Sequence, residues 1–174
     1  MNTVKKLLLL VVIVGSVAAC KKDKPKEEPV VLNAKQTAPT LANAMPALVV
    51  TKPDGSQVSL KDLTGNVLLV CYNPGCDHCQ REAKELSSNK DMVKDYQVYF
   101  LTPEPMAEAV KFSKEYKLEE PNIHFVVADV GPIINAMGQI TTVPTFFVYR
   151  NQSLVRRMEG EISMTELRGV LQGS

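Results

Sequence analysis

A chain of 174 residues is the length of one domain with appendages. Hydrophobic residues make up 45% and charged residues 22%, the balance of a protein that buries an ordinary core. The formal charge is only +1, which gives a polyanion little to hold and argues against a nucleic-acid partner.

The first element is a leader. Lys5 and Lys6 precede an apolar run from Leu7 to Val14, and small residues then lead to Cys20. This is the layout of an export signal, and the run is too short to span a bilayer. The ending Val17-Ala18-Ala19-Cys20 resembles a bacterial lipobox. The resemblance implies cleavage after residue 19 and a diacylglycerol on the Cys20 sulfur, with an ordinary signal peptide or short anchor as the competing reading. Residues 20–45 are charged and Pro-containing and lack apolar periodicity, so they are expected to be a disordered tether. The expected location is the cell envelope or periplasm, with the lipid on Cys20 holding the protein to a membrane. Such a compartment is oxidising and permits disulfide chemistry.

The domain is expected over 46–174. Leu48 to Thr51 and Gln57 to Leu60 read as a hairpin around the turn Pro53-Asp54-Gly55-Ser56, and Ser59 is placed to cap a short helical turn. Val67 to Tyr72 is a continuous apolar run, the pattern of a strand buried on both faces. Asn73-Pro74-Gly75 breaks it, and a helix from about Cys76 to Ser87 follows, with a second short helix over Lys90 to Asp95. Val98 to Leu101 is another buried strand, and Thr102-Pro103-Glu104-Pro105 opens a helix reaching Tyr116. His124 to Ala128 is a strand, and Asp129 is placed to cap a helix from Gly131 to Met137. Pro144 to Tyr149 and Leu154 to Met158 form a second hairpin, and Ser163 with Glu166 resembles a capping box for a helix ending at Gln172. Strands alternating with helices predict an α/β fold: a mixed central sheet flanked by helices, with an N-terminal β-hairpin.

The chemistry concentrates at Cys76-Asp77-His78-Cys79. Cys76 stands where an apolar strand ends and a helix begins, so free N–H groups and the helix dipole favour its thiolate. Cys79 is one helical turn further on, close enough for a disulfide. That order makes Cys76 the attacking nucleophile and Cys79 the resolving thiol. Zinc sites use the same C-x-x-C spacing, but a second pair of ligands is missing: only Cys71, His78 and His124 remain. Cys71 lies inside a buried-type strand and reads as core.

A second signature lies about 65 residues downstream, where Val143-Pro144-Thr145 opens a strand. With both motifs the domain resembles the thioredoxin superfamily, and within it the membrane-tethered TlpA/ResA-like thiol–disulfide oxidoreductases. The resemblance implies that Pro144 is cis and packs beside the cysteines, and that Val143 offers backbone hydrogen bonds to a substrate chain. It implies a proton acceptor near Cys79 in Glu82, whose competing reading is a solvated helix residue. A histidine before the second cysteine is also found in DsbA-type oxidants. His78 is therefore expected to stabilise the Cys76 thiolate and raise the reduction potential, against the reading of an exposed polar side chain. The chain departs from the pattern at Gly75, where thioredoxins usually have Trp, and at Val70, in the slot of a buried aspartate.

The resemblance implies no cofactor beyond the redox-active disulfide Cys76–Cys79, and no resident metal. It implies exported proteins with thiols or disulfides as substrates, most of them reduced rather than oxidised, and a membrane electron donor or acceptor as partner. The alternative is a thioredoxin-like copper carrier using the same cysteines with a distal histidine such as His124. A peroxidase is a third reading, weakened by Asn73 in the slot where peroxiredoxins want Thr or Ser.

Overall fold

The computed structural model describes residues 44–173. The leader, Cys20 and the tether as far as residue 43 lie outside that range. Ala44 and Met45, expected to end the tether, belong to the domain instead. Ala44 bridges to Ser153, and Met45 donates its N–H to the Gln152 carbonyl at 3.0 Å. The Met45 side chain is buried against Leu48 and Val50, so the apolar surface it covers extends the fold upstream by two residues.

The elements are β1 (Val49–Thr51), β2 (Gln57–Ser59), β3 (Asn66–Cys71), α1 (Asp77–Ser88), β4 (Gln97–Thr102), α2 (Met106–Glu115), β5 (Ile123–Val127), α3 (Val130–Met137), β6 (Thr145–Arg150), β7 (Ser153–Glu159) and α4 (Met164–Gln172). Short 3-10 turns cover Leu60–Asp62 and Lys90–Val93. All seven strands form one sheet in the order β2-β1-β5-β4-β3-β6-β7. β3, β4 and β5 are parallel, and every other neighbouring pair is antiparallel. The sheet is therefore mixed, with the hairpin β1–β2 at one edge, as the pattern predicts.

The apolar run of β3 explains why it lies in the interior of the sheet. Alternate side chains point to opposite faces. Leu68 and Val70, with Tyr72 beyond the strand, pack with Ala83 and Leu86 of α1, Ala109 and Phe112 of α2, and Leu167 and Leu171 of α4. Val67, Leu69 and Cys71 pack on the other side with Leu48, Val50, Leu60 and with Ile133 and Met137 of α3. Three helices cover one face; α3 and the N-terminal segment cover the other.

Helix starts differ from the expected ones where proline intervenes. α2 begins at Met106 rather than at Thr102, because a residue before proline avoids the helical region, and both Thr102 and Glu104 precede one. Asp129 and Ser59 occupy N-cap positions, but neither side chain makes a cap hydrogen bond. Ser163 does cap, accepting from the Glu166 N–H at 3.1 Å.

Tyr72 sits among Phe100, Phe112 and Phe125, with ring centroids 5.5, 4.8 and 6.0 Å away. Its hydroxyl is buried without a hydrogen-bond partner, and burial raises its pKa. Tyr72→Phe removes a desolvated group that has no bond to lose. Urea melts are expected to show unchanged stability or a gain of up to about 1 kcal/mol. A loss of about 1 kcal/mol or more would mean the hydroxyl is bonded after all.

Candidate active site

Beyond β3, the Tyr72 N–H still donates to the Leu101 carbonyl, so the chain stays extended to the rim of the sheet. Asn73 then turns it: its Oδ1 accepts from the Gly75 N–H at 2.8 Å, and its carbonyl accepts from the Cys76 N–H at 3.1 Å. Cys76 is the N-cap of α1 and its side chain makes no cap bond, which leaves the sulfur free beside the first turn of the helix. Its Sγ lies 3.8 Å from the Val143 carbonyl oxygen. The Val143–Pro144 peptide is cis and Pro144 is buried. The fold thus brings Cys76, Cys79, Val143 and Pro144 together, although 67 positions separate Cys76 from Val143.

The two cysteines are unlike. Cys76 is half-buried and reachable, whereas Cys79 is 3% exposed. Burial pushes the Cys79 thiol up to about 12; a backbone hydrogen bond from Asn73 opposes this, and the neighbouring Cys76 and Glu82 add to it. Cys71 is also buried, and burial pushes its thiol up to about 12. It faces the opposite core from Cys79.

Glu82 is one turn after Cys79 on the buried side of α1 and is 6% exposed. It is not the solvated helix residue of the competing reading. Its Oε2 accepts from the Ile162 N–H at 3.2 Å, and its Oε1 has no partner. Burial raises the carboxyl to about 7, helped by Glu161 and Glu85 and opposed by the Ile162 N–H.

His78 points outward, and Glu161 meets it. The His78 Nδ1 is 2.6 Å from Glu161 Oε2, while Arg81 donates to Glu161 through Nε at 2.6 Å and Nη2 at 3.0 Å. A carboxylate oxygen that close to a ring nitrogen needs a proton between them, so Nδ1 is the donor. The Arg81 Nη2 also lies 2.7 Å from Nδ1, but two donors make no hydrogen bond. Hydrogen bonds from Arg81 first and His78 second hold the Glu161 carboxyl down to about 2. Glu161, Arg81 and Ile162 escape a reading of the sequence. Arg81 has the weak signal of lying one turn from His78; Glu161 has none, being 80 residues from Arg81.

His124 is not brought to the cysteines. It pairs with Tyr99, which belongs to the core on the other face of the sheet from Cys79. Its ring packs on Tyr99, and its Nε2 is 2.8 Å from Gln97 Oε1. The three-ligand copper set of two cysteines and His124 is therefore not assembled, because the strand register puts its parts on opposite faces. Among the described residues, no group of three or more His, Cys, Asp or Glu side chains converges as metal ligands would.

The model of the AhpC/TSA family matches residues 41–158. No curated protein sequence matches the chain. Solved structures of similar shape include a secreted Mycobacterium tuberculosis disulfide oxidoreductase homologous to E. coli DsbE, 18% identical over 74% of this chain and 96% of that one, with a TM-score of 0.62. StoA from Bacillus subtilis is 19% identical over 73% and 98%, with a TM-score of 0.57. Copper-bound ScoI from Arabidopsis thaliana is 17% identical over 75% and 97%, with a TM-score of 0.60. At such identities the likeness is one of fold, and that fold is thioredoxin-like. The chain belongs to the AhpC/TSA family.

Proposed function

We propose that the protein is a cell-envelope thiol–disulfide oxidoreductase that reduces disulfides of exported proteins. The observation that carries this reading is the asymmetry of the pair: a reachable Cys76 at a helix N-terminus and a buried Cys79 whose thiol keeps its proton. The Cys76 thiolate attacks a substrate disulfide, forming a mixed disulfide and expelling one substrate thiolate. Cys79 then gives up its proton and attacks Cys76 Sγ. The second substrate thiolate leaves, and two electrons have passed to the substrate. To Glu82, one turn after Cys79 with its carboxyl raised to about 7 by burial, we assign the taking of the Cys79 proton. A membrane electron donor would restore the dithiol, and lipid on Cys20 would keep the domain within its reach. The disulfide oxidoreductase among the structures of like fold supports this chemistry.

The test is the midpoint potential of the Cys76–Cys79 pair, read by thiol trapping in graded redox buffers. A reductase is expected near thioredoxin's value of about −270 mV, whereas a value near about −120 mV would reverse the direction. Absence of a disulfide between the two at any poise would overturn the reading. His78 occupies the second position of α1, where proline costs no helical hydrogen bond. His78→Pro is expected to lower the potential by on the order of 30 mV, through loss of the imidazole from the first turn of the helix that Cys76 caps. An unchanged potential would leave His78 as a surface side chain tied to Glu161.

A further inference from the structure

Among the described residues, three of the four large hydrophobic side chains exposed to solvent, Val49, Val130 and Ile134, line one surface. Two depressions make it, and they share Pro103. The near one, about 290 Å³, lies between the end of β3 and α3, walled by Asn73, Val143, Val130 and Ile134. Cys71 lies in its wall, and two of its lining residues touch Cys76 from outside it: the Val143 carbonyl is 3.8 Å from Cys76 Sγ, and the Asn73 carbonyl accepts from the Cys76 N–H. The far one, about 420 Å³, continues past Pro103 over Met106 and Val127 to Val49. Its charged lining is Glu104 and Asp129, with no Lys, Arg or His. Neither acid forms an ion pair within the described residues. Asp129 is exposed and leaves its cap bond unmade, and Glu104 accepts one hydrogen bond at Oε1, from Asn73 Nδ2 at 3.0 Å.

An apolar trough that borders the neighbours of Cys76 and runs on past two carboxylates without ion pairs is built for a chain, not for a small thiol. Exposed apolar patches on a small domain mark binding surfaces. Carboxylates at the rim select the sign of the partner's charge and speed its arrival. We propose that this groove docks an extended segment of the protein substrate next to its reacting cysteine, with apolar side chains in the near half and a Lys or Arg between Glu104 and Asp129 in the far half. The proposal rests on the disulfide-exchange reading and adds its substrate preference.

The experiment uses the reduced protein and synthetic peptides whose single cysteine carries a chromophoric thiol leaving group. Apolar residues flank the cysteine, and either Lys or Glu is placed at successive distances from it. The readout is the ratio of the Lys-peptide rate to the Glu-peptide rate within each protein, so that basal activity cancels. At one spacing the wild-type ratio is expected to reach about fivefold in low salt. It is expected to fall towards one in high salt and in the double variant E104Q/D129N. Glu104→Gln keeps the oxygen that Asn73 uses, so the turn before Cys76 retains its bond. Ile134→Ser is expected to slow apolar peptides relative to polar ones. A ratio near one at every spacing, or one unchanged in the double variant, would overturn the proposal while exchange itself stands. If the wild-type protein exchanges with neither the peptides nor oxidised glutathione, the exchange reading fails and the docking proposal falls with it. Sedimentation showing a dimer that Ile134→Ser dissolves would give the groove to a second copy, and that also overturns it.

Discussion

Cys76→Ser is expected to lower thiol–disulfide exchange by at least about a thousandfold, and Cys79→Ser to stop the reaction halfway. The two outcomes differ because the two sulfurs do. Cys76 stands free at the helix start beside the Val143 carbonyl, while Cys79 lies beneath the surface with its thiol pushed up to about 12. With serine at 76 no accessible sulfur of a cysteine is left among the described residues, since Cys71 is buried and its thiol is as reluctant as that of Cys79. With serine at 79 the first attack proceeds, but nothing displaces the substrate. A stable adduct should accumulate. Intact-mass and peptide analysis after mixing with a disulfide substrate will locate it. An adduct on Cys79 or Cys71 would show that the roles are assigned wrongly.

Glu82→Gln should stabilise the protein at alkaline pH and leave it almost unchanged in acid. Burial raises the folded carboxyl from 4.5 to about 7. Between those values the folded state holds a proton that the unfolded chain releases. Stability therefore falls as pH rises from the ordinary carboxylate range through about 7, and then levels off. The linked cost is about 3 kcal/mol at pH 8 and close to zero at pH 4. Glutamine keeps an oxygen for the Ile162 N–H and never ionises, so urea melts should show a gain of about 2 to 3 kcal/mol at pH 8. Parallel stability curves for the two proteins from pH 5 to pH 8 would remove the argument. The same variant is expected to slow the resolving attack, because a thiol near 12 then lacks a neighbour to take its proton. A side chain that weakens the fold at working pH and speeds one step is the pattern of a functional group.

Much of this architecture is legible in the chain. The run from Val67 to Tyr72 has the composition of an interior strand, and β3 lies between β4 and β6. The break at Asn73-Pro74-Gly75 and the apolar spacing of Ala83 and Leu86 mark where α1 starts and which side it buries. What pattern cannot give is the contact between distant segments. The Glu161 carboxylate reaches His78 and Arg81 only because β7 returns beside α1, and Ile162 supplies its N–H to Glu82 for the same reason. His124 fails for a related reason. Its chemistry suits a soft metal, but strand register, invisible in composition, turns it away from the cysteines. Asp129 shows the limit of local rules. It has the capping residue type at the capping position, yet its carboxylate caps nothing and borders the groove instead.

The bridge between Ala44 and Ser153 has a mechanical consequence. Ser153 follows the turn from β6 to β7, and that turn is bonded to Gly65 just before β3 begins. Cys76 lies past the other end of β3, a strand of six residues and so on the order of 20 Å away. The described chain enters the domain at one pole and carries the Cys76 sulfur at the other. The surface that receives the upstream chain and the surface that presents the sulfur are therefore different, so a client reaches Cys76 without crossing the segment at Ala44.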